Sequence, residues 1–297
     1  DLVILESTSP VGSTERVRDI LFEARPDLAE TSANSKKIGA IYLAHCPERV
    51  LPGNILRELV GNDRIIGGID KASAEAARDL YKTFSSGNIY LTDCRTAELA
   101  KLVENSFRDV NIAFANELSL ICDQYEINVW ELIDLANKHP RVNILRPGPG
   151  VGGHCIAVDP WFIVHAAPEL ARIIRVAREV NDHKPHWVLE KVKKKANRFR
   201  DPVIGCLGLA FKANIDDLRE SPALEITRQL IASGVGKVMA CEPNLHGQFE
   251  EFPVYDLSQV LKEADILVVL VDHDEFKEVE IDLLNEKVVI DTRGIWR

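Results

Sequence analysis

A chain of 297 residues, 46% hydrophobic and 28% charged, has the length for two domains or a little more and the balance of a globular fold. Its net charge of −10 excludes a nucleic-acid surface, which needs a dominant basic field. The six cysteines, at 46, 94, 122, 155, 206 and 241, form no CxxC pair. Reduced thiols in a cytoplasmic protein are therefore expected, rather than a disulfide framework or a zinc site.

The chain opens on Leu2-Val3-Ile4-Leu5, a continuous apolar run of the kind that a parallel strand covered on both faces requires. Ser13-Thr14-Glu15 carries capping residues at the head of a helical pattern. Strands are expected over 38–44, 64–68 and 89–91, with a helix over 72–84. A chain that begins inside a sheet reads as cut, so residues 1–93 are expected to be the second part of a doubly wound domain. From Thr96 the character changes to long helices: 97–125, 129–138 and, despite Pro185, 168–198. Val203 to Ala210 starts a new strand and glycine turn, followed by strands at 237–240, 266–271 and 288–290, with helices around 220–233 and 257–263. The run 266–271 is the most apolar in the chain and far too short to cross a bilayer, so no membrane partner is expected. No signal peptide is expected either. The expected fold is α/β: two Rossmann-like doubly wound lobes, the first incomplete, joined by a long-helix central domain. The boundaries fall at 1–93, 94–199 and 200–297.

The chemistry concentrates in Arg146 to Pro160, where Gly148, Gly150, Gly152 and Gly153 precede His154 and Cys155, and Asp159 follows four residues later. Such glycines allow a bulky ligand to approach bare backbone and expose N–H groups to anionic oxygens. A thiolate delivered there can attack a carbonyl carbon. An ordinary Gly/Pro surface loop with a buried cysteine is the bland alternative. His154 has no second ligand pair to complete a metal site, so no metal is expected. Lys101, Asn105 and Arg108, spaced i, i+4 and i+7, share a helix face. A lysine and an asparagine one turn apart can both donate to an oxyanion, although a solvated face is the default for such spacing. Thr8, Cys46 to Gly53 and Thr292-Arg293 follow strand ends, where α/β proteins place ligands. The Gly208 turn lacks the G-x-G-x-x-G spacing of a dinucleotide site and runs on into Phe211-Lys212.

Glu6 to Thr14, Cys46 to Gly53, Glu104 to Asn111, Gly148 to Pro160 and Gly208 to Pro222 together resemble the UDP-glucose/GDP-mannose dehydrogenases over essentially the whole chain. His139 to Asn143 and Gly294 to Arg297 are similar to the branch acting on UDP-N-acetyl-D-mannosamine. The resemblance implies an NAD-dependent, four-electron oxidation of the sugar C6 alcohol to a carboxylate through a cysteine thiohemiacetal and thioester. UDP-N-acetylglucosamine and UDP-glucose are the alternative substrates. By that resemblance Cys155 is the nucleophile, and Lys101 and Asn105 stabilise oxyanions. Asp159, Glu48 and Thr8 position water or relay protons. Arg49, Val50, Arg108 and Gly152 line the sugar-nucleotide pocket, while Phe211, Lys212 and Arg293 hold the uridine diphosphate. Thr8 and Arg219 contact the cofactor, Arg219 at its pyrophosphate. His139 and Arg141 reach the substrate of a neighbouring subunit, which implies a homodimer built through the central helices. The family's N-terminal G-x-G-x-x-G turn does not precede Asp1, so an impaired NAD site is expected, and a non-catalytic UDP-sugar-binding module is the competing reading.

Overall fold

A computed structural model describes residues 1–28, 41–50, 54–153, 155–245 and 249–296. Residues 38–40 of the expected second strand, Leu51 to Gly53, His154 and Arg297 lie outside the described residues. The chain divides into two compact units, residues 1–106 with 161–171, and residues 107–160 with 172–297.

The first unit is built on β1 (Leu2–Leu5), α1 (Ser13–Ala24), β2 (Tyr42–His45), α2 (Ile55–Gly61), β3 (Arg64–Gly68), α3 (Lys71–Tyr81) and β4 (Ile89–Asp93). Its four strands lie in the order β1-β2-β3-β4. The β1–β2 and β3–β4 pairs are parallel, as the apolar runs predict, but β2 and β3 are antiparallel and meet over only Ala44↔Gly68 and His45↔Gly67. The sheet is therefore mixed, and the carboxyl ends of β1 and β2 share one edge. Ala44, Cys46, Ile66, Ala77 and Tyr81 form the core between sheet and α3. Asp70 starts α3 by accepting from the Ser73 N–H at 2.7 Å, an N-cap that satisfies one orphan amide. Strand β4 runs straight into α4 (Cys94–Gln124), a helix of 31 residues. The division between the units falls within it, after Ser106.

The second unit carries the rest of α4 and continues with α5 (Val129–Ala136), α6 (Asp159–Ala166) and α7 (Arg172–Ala196). Helix α6, whose residues from Trp161 onward belong to the first unit, has no counterpart in the sequence expectation. Helix α7 starts at Arg172 rather than 168 and passes through Pro185 unbroken. An interior proline forfeits one backbone bond, and here its ring packs against Gly150: a Cβ there would stand 2.9 Å from Pro185 Cγ. Then follow β5 (Val203–Leu207), α8 (Pro222–Ser233), β6 (Lys237–Cys241), α9 (Leu257–Glu263), β7 (Ile266–Val269), α10 (Asp274–Lys277) and β8 (Val288–Asp291). Their sheet, in the order β6-β5-β7-β8, is parallel throughout. Strand β7 is buried along its whole length, as an inner parallel strand must be. All four carboxyl ends face one edge, and that edge is where open parallel sheets bind ligands.

Candidate active site

Along the ligand edge of the second sheet lie the Gly208–Lys212 turn after β5, Glu242 after β6, Asp272 and His273 after β7, and Arg293 after β8. Phe211, Lys212, Asp272 and Arg293 line one crevice together with Pro149 and Gly150 of the glycine run. The spacing of these glycines reflects close contact. A Cβ on Gly152 would stand 2.5 Å from the Glu220 carbonyl oxygen and 2.9 Å from Phe211 Cβ. Gly153 sits at φ +82, a left-handed conformation that side chains other than glycine adopt at a cost, with the Phe211 ring against it. Gly148 donates its N–H to Asn116 Oδ1 at 2.9 Å, and a Cβ there would meet Arg293 Nη1 at 2.5 Å.

Beyond the run the chain turns into α6. The Asp159 N–H donates to the Cys155 carbonyl at 2.9 Å, so the two residues stand one helical turn apart. Cys155 is exposed, whereas the other five cysteines are buried. Burial pushes the Cys206 and Cys241 thiols up to about 12 and makes them inert as nucleophiles at neutral pH. Asp159 is buried. Arg293 is held by Asp272 through Nε at 2.8 Å, and Lys212 is exposed. Arg219 is exposed and forms a bidentate pair with Asp217, at 2.9 and 2.6 Å. His139 and Arg141 lie on an exposed turn, where the Arg141 N–H donates to His139 Nδ1 at 3.3 Å. A larger cavity of about 460 Å³ lies elsewhere in this unit, walled by Trp130, Lys184, Trp187 and Lys191. Of the residues singled out in the sequence it is lined by Thr292, Pro147 and Cys122, and by none of those given a role in the chemistry or in ligand binding.

In the first unit, Thr8 follows β1 and Glu48 follows β2, tied by the Glu48 N–H to the Glu6 carbonyl at 3.0 Å. The Glu48 carboxylate accepts from the N–H groups of Arg49 at 2.6 Å and Val50 at 3.1 Å, which fixes the turn carrying both. Arg49 Nη2 pairs with Glu104 on α4 at 2.7 Å. Lys101 and Asn105 lie one turn apart on the same helix, Lys101 half-buried and Asn105 buried, with Arg108 exposed on its continuation. The N-terminus of α1 is not open to an anion. Glu98, wholly buried, accepts from the Gly12 N–H at 2.6 Å and from the Thr14 N–H at 2.7 Å.

Sequence reasoning missed Glu98, Glu242 and His273. Glu242 had a usable signal, because an acid at the end of a parallel strand is where dinucleotide folds hold a ribose. Here it instead accepts from the Leu209 and Ala210 N–H groups at 2.7 and 2.9 Å and so fills the glycine turn from inside. Among the described residues, no helix is long and apolar enough to cross a membrane, and no group of three or more metal-type side chains is found.

The chain matches the UDP-glucose/GDP-mannose dehydrogenase family in three places. These are its NAD binding domain over residues 1–85, its central domain over 95–183 and its UDP binding domain over 205–297. It is 60% identical, over its full length and 70% of the relative's, to an NDP-N-acetyl-D-galactosaminuronic acid dehydrogenase of Ralstonia nicotianae. It is 53% identical, over its full length and 73% of the relative's, to the UDP-N-acetyl-D-mannosamine dehydrogenase of Escherichia coli. The solved structure of the UDP-D-ManNAc dehydrogenase of Pyrococcus horikoshii superposes with a TM-score of 0.84 at 41% identity, covering 100% of this chain and 69% of that one. With three consecutive domains of one family matched and relatives this similar along its entire length, the chain belongs to the UDP-glucose/GDP-mannose dehydrogenases, enzymes that oxidise nucleotide sugars with NAD.

Proposed function

We propose that this protein oxidises the C6 alcohol of UDP-N-acetyl-D-mannosamine to the carboxylate, in two steps of two electrons each, with Cys155 as the covalent nucleophile. The observation that carries the reading is that Cys155, exposed while the other cysteines are buried, ends a glycine run packed against Phe211. NAD, when bound, accepts a hydride in each oxidation. Cys155 Sγ adds to the aldehyde carbon and holds it as a thiohemiacetal, so the reactive aldehyde is not released between the two oxidations. Loss of the second hydride leaves a thioester, and water hydrolyses it to the uronate and returns the thiolate.

Lys101 and Asn105 are proposed to donate to the oxyanions, and Asp159, Glu48 and Thr8 to position water or relay protons. Phe211, Lys212 and Arg293 would hold the uridine diphosphate, and Arg49, Val50, Arg108 and Gly152 the sugar-nucleotide around it. A planar guanidinium such as that of Arg293 can bond two phosphate oxygens at once.

The residues of the first unit fit the nicotinamide end of the cofactor: Thr8 and Glu48 supply polar atoms at adjoining carboxyl ends of β1 and β2. They do not offer the pyrophosphate the N-terminus of α1, because Glu98 already takes its amides. Arg219 is proposed for that pyrophosphate, exchanging Asp217 for phosphate oxygens. His139 and Arg141, exposed on their turn, are proposed to reach the substrate of a second copy in a homodimer formed through the central helices. The working division is a cofactor domain over 1–93, a central helical domain over 94–199 and a UDP-sugar domain over 200–297. The cytoplasm, where nucleotide sugars are made, is the proposed compartment.

A second reading places the substrate in the galactosamine series, favoured by the 60% identity to the Ralstonia enzyme. The test is to count NADH released per sugar consumed, with the UDP-N-acetyl derivatives of mannosamine, galactosamine and glucosamine and with UDP-glucose. About two NADH per UDP-N-acetyl-D-mannosamine, abolished by Cys155→Ala, is expected. The same ratio on the galactosamine epimer alone selects the second reading. Tight UDP-sugar binding with no NADH from any of them is what an impaired NAD site gives, and the binding-module reading then stands beside the enzyme.

A further inference from the structure

Two buried side chains outside the proposed contacts with substrate tie down both ends of the loop that carries Phe211 and Lys212. At its start, Glu242 Oε2 accepts from the Leu209 and Ala210 N–H groups at 2.7 and 2.9 Å. Toward its far end, the Asn214 N–H donates to His273 Nδ1 at 2.9 Å, with Asn214 itself at φ +60. The two anchors join. Because Nδ1 is the acceptor for Asn214, Nε2 carries the ring proton and donates to Glu242 at 3.1 Å. Both side chains are buried, and the set is closed by Asn244, whose N–H donates to Glu242 Oε1 at 3.1 Å.

Among the described residues the loop has further anchors, beginning with the Gly208 N–H, which donates to the Cys241 carbonyl at 2.8 Å. Phe211 N–H donates to the Asp217 carbonyl at 3.1 Å, and the Asn214 side chain exchanges hydrogen bonds with Asp274, at 2.8 and 3.1 Å. Lys212 and Asn214 are exposed. A buried carboxylate is costly unless its oxygens are satisfied, and burial alone would raise the Glu242 carboxyl. The hydrogen bonds from His273, Leu209 and Ala210 outweigh burial and hold it below the usual range. Leu or Met at this position would avoid that cost only by stranding the buried Leu209 and Ala210 amides, so the carboxylate is tied to the loop backbone that it holds.

We propose that the Glu242–His273 pair is a positioning device for the uridine diphosphate site: it sets the 208–217 loop so that Phe211 and Lys212 meet the ligand while Phe211 supports Gly152 and Gly153. It touches no reacting atom and acts through the loop backbone. The inference rests on the reading of Phe211, Lys212 and Arg293 as the UDP contacts, and the test separates the two.

UDP binding to the 297-residue chain is measured by calorimetry, beside thermal melting, for the parent, Lys212→Ala, Glu242→Gln, His273→Gln and His273→Asn. Asparagine can place an acceptor where Nδ1 lies, and glutamine a donor where Nε2 lies, so each keeps one anchor and loses the other. Glu242→Gln is expected to weaken UDP binding roughly tenfold or more, and each His273 variant severalfold, because small misplacements of a binding group are costly. Lower melting temperatures with UDP affinities within about twofold of the parent would show a purely structural pair and overturn the proposal. If Lys212→Ala weakens binding in that case, the UDP reading stands without it. If the parent binds no UDP, both fall. Should Glu242→Gln not fold, the two His273 variants decide by the same criterion.

Discussion

The Glu98 carboxylate accepts both the backbone N–H and the Oγ1 hydroxyl of Thr14 at 2.7 Å, across 84 residues of sequence. One oxygen of a buried side chain on α4 thus caps α1, whose own N-cap residue, Gly12, has no side chain to do so. Its second oxygen takes the Gly12 N–H.

Glu98→Ala should therefore cost more than an ordinary cap. It would strand one buried and one half-buried amide and a buried hydroxyl, for which a loss of roughly 2–4 kcal/mol in urea unfolding is expected. Glu98→Gln retains an acceptor and should lose less than half of that. Equal losses for the two variants would show that Glu98 contributes through packing alone.

A second buried pair sets the stability of the helical region. Arg178 donates to Asp109 at 2.6 Å with both side chains buried, and Asn181 Nδ2 donates to the same carboxylate oxygen at 2.8 Å. Burial pushes the Asp109 carboxyl up, although Arg178 and Asn181 favour its charge. Arg178→Met alone leaves an uncompensated buried charge and should cost about 3–5 kcal/mol. Arg178→Met combined with Asp109→Leu should be milder than the sum of the single changes by 1 kcal/mol or more, about the coupling expected of contacting residues. Additive losses would show that the two residues do not act together.

Asp109 also shows what the sequence could and could not convey. The Glu104–Asn111 motif carries Asn105 and Arg108, proposed above for the site, yet Asp109 in it is a buried structural partner, while Arg108 beside it is exposed. Motif membership alone does not separate the two. Continuous apolar runs placed β5 and β7 well, because burial on both faces leaves its mark in every residue; β1, expected to be covered in the same way, is half-buried throughout, and β4 exposes Tyr90 and Leu91. Strand direction leaves no such mark, so the antiparallel β2–β3 pair was not legible. Helix α6 was hidden because Asp159-Pro160 ends a glycine-rich stretch, although proline fits a first helical turn well. Phe211 and Lys212 could be picked from the chain; Glu242 carried a signal as an acid after a strand, but its pairing with His273 and their hold on the loop did not. Their contacts span 31 residues and obey no local spacing.

The glycine run gives a sharper test of the site. A Cβ on Gly152 would need 2.5 Å to the Glu220 carbonyl oxygen and 2.7 Å to Pro222 Cδ, neither of them a flexible side-chain end. Gly152→Ala should thus shift the run that delivers Cys155. Turnover is expected to fall roughly 100-fold or more while unfolding costs only about 1–3 kcal/mol. Iodoacetamide should still label the exposed Cys155, so a variant folded, labelled and inactive is the expected result. Full turnover in folded Gly152→Ala would show that this close approach does not govern the chemistry.

Lys184 should make stability depend on pH in a direction opposite to that of a paired lysine. It is 2% exposed, with its ammonium over the Trp187 ring at 4.0 Å and bonded to the Ser119 hydroxyl. Burial, helped by Lys191 and opposed by Asp123, brings it down to about 7 from 10.5. Between those two values the unfolded chain binds a proton that the folded chain does not, so this group makes stability rise with pH across that window. Below about 7 both states are charged, and the full cost of burying the ammonium is present and constant. Lys184→Met removes that cost, and Ser119 keeps its bond to the Asn116 carbonyl at 2.6 Å. The variant should be more stable than the parent by roughly 2–4 kcal/mol at pH 7, with the difference shrinking towards zero near pH 10. Chemical unfolding at several pH values checks this, and a difference that stays constant from pH 7 to pH 10 would mean that Lys184 remains charged in the folded protein.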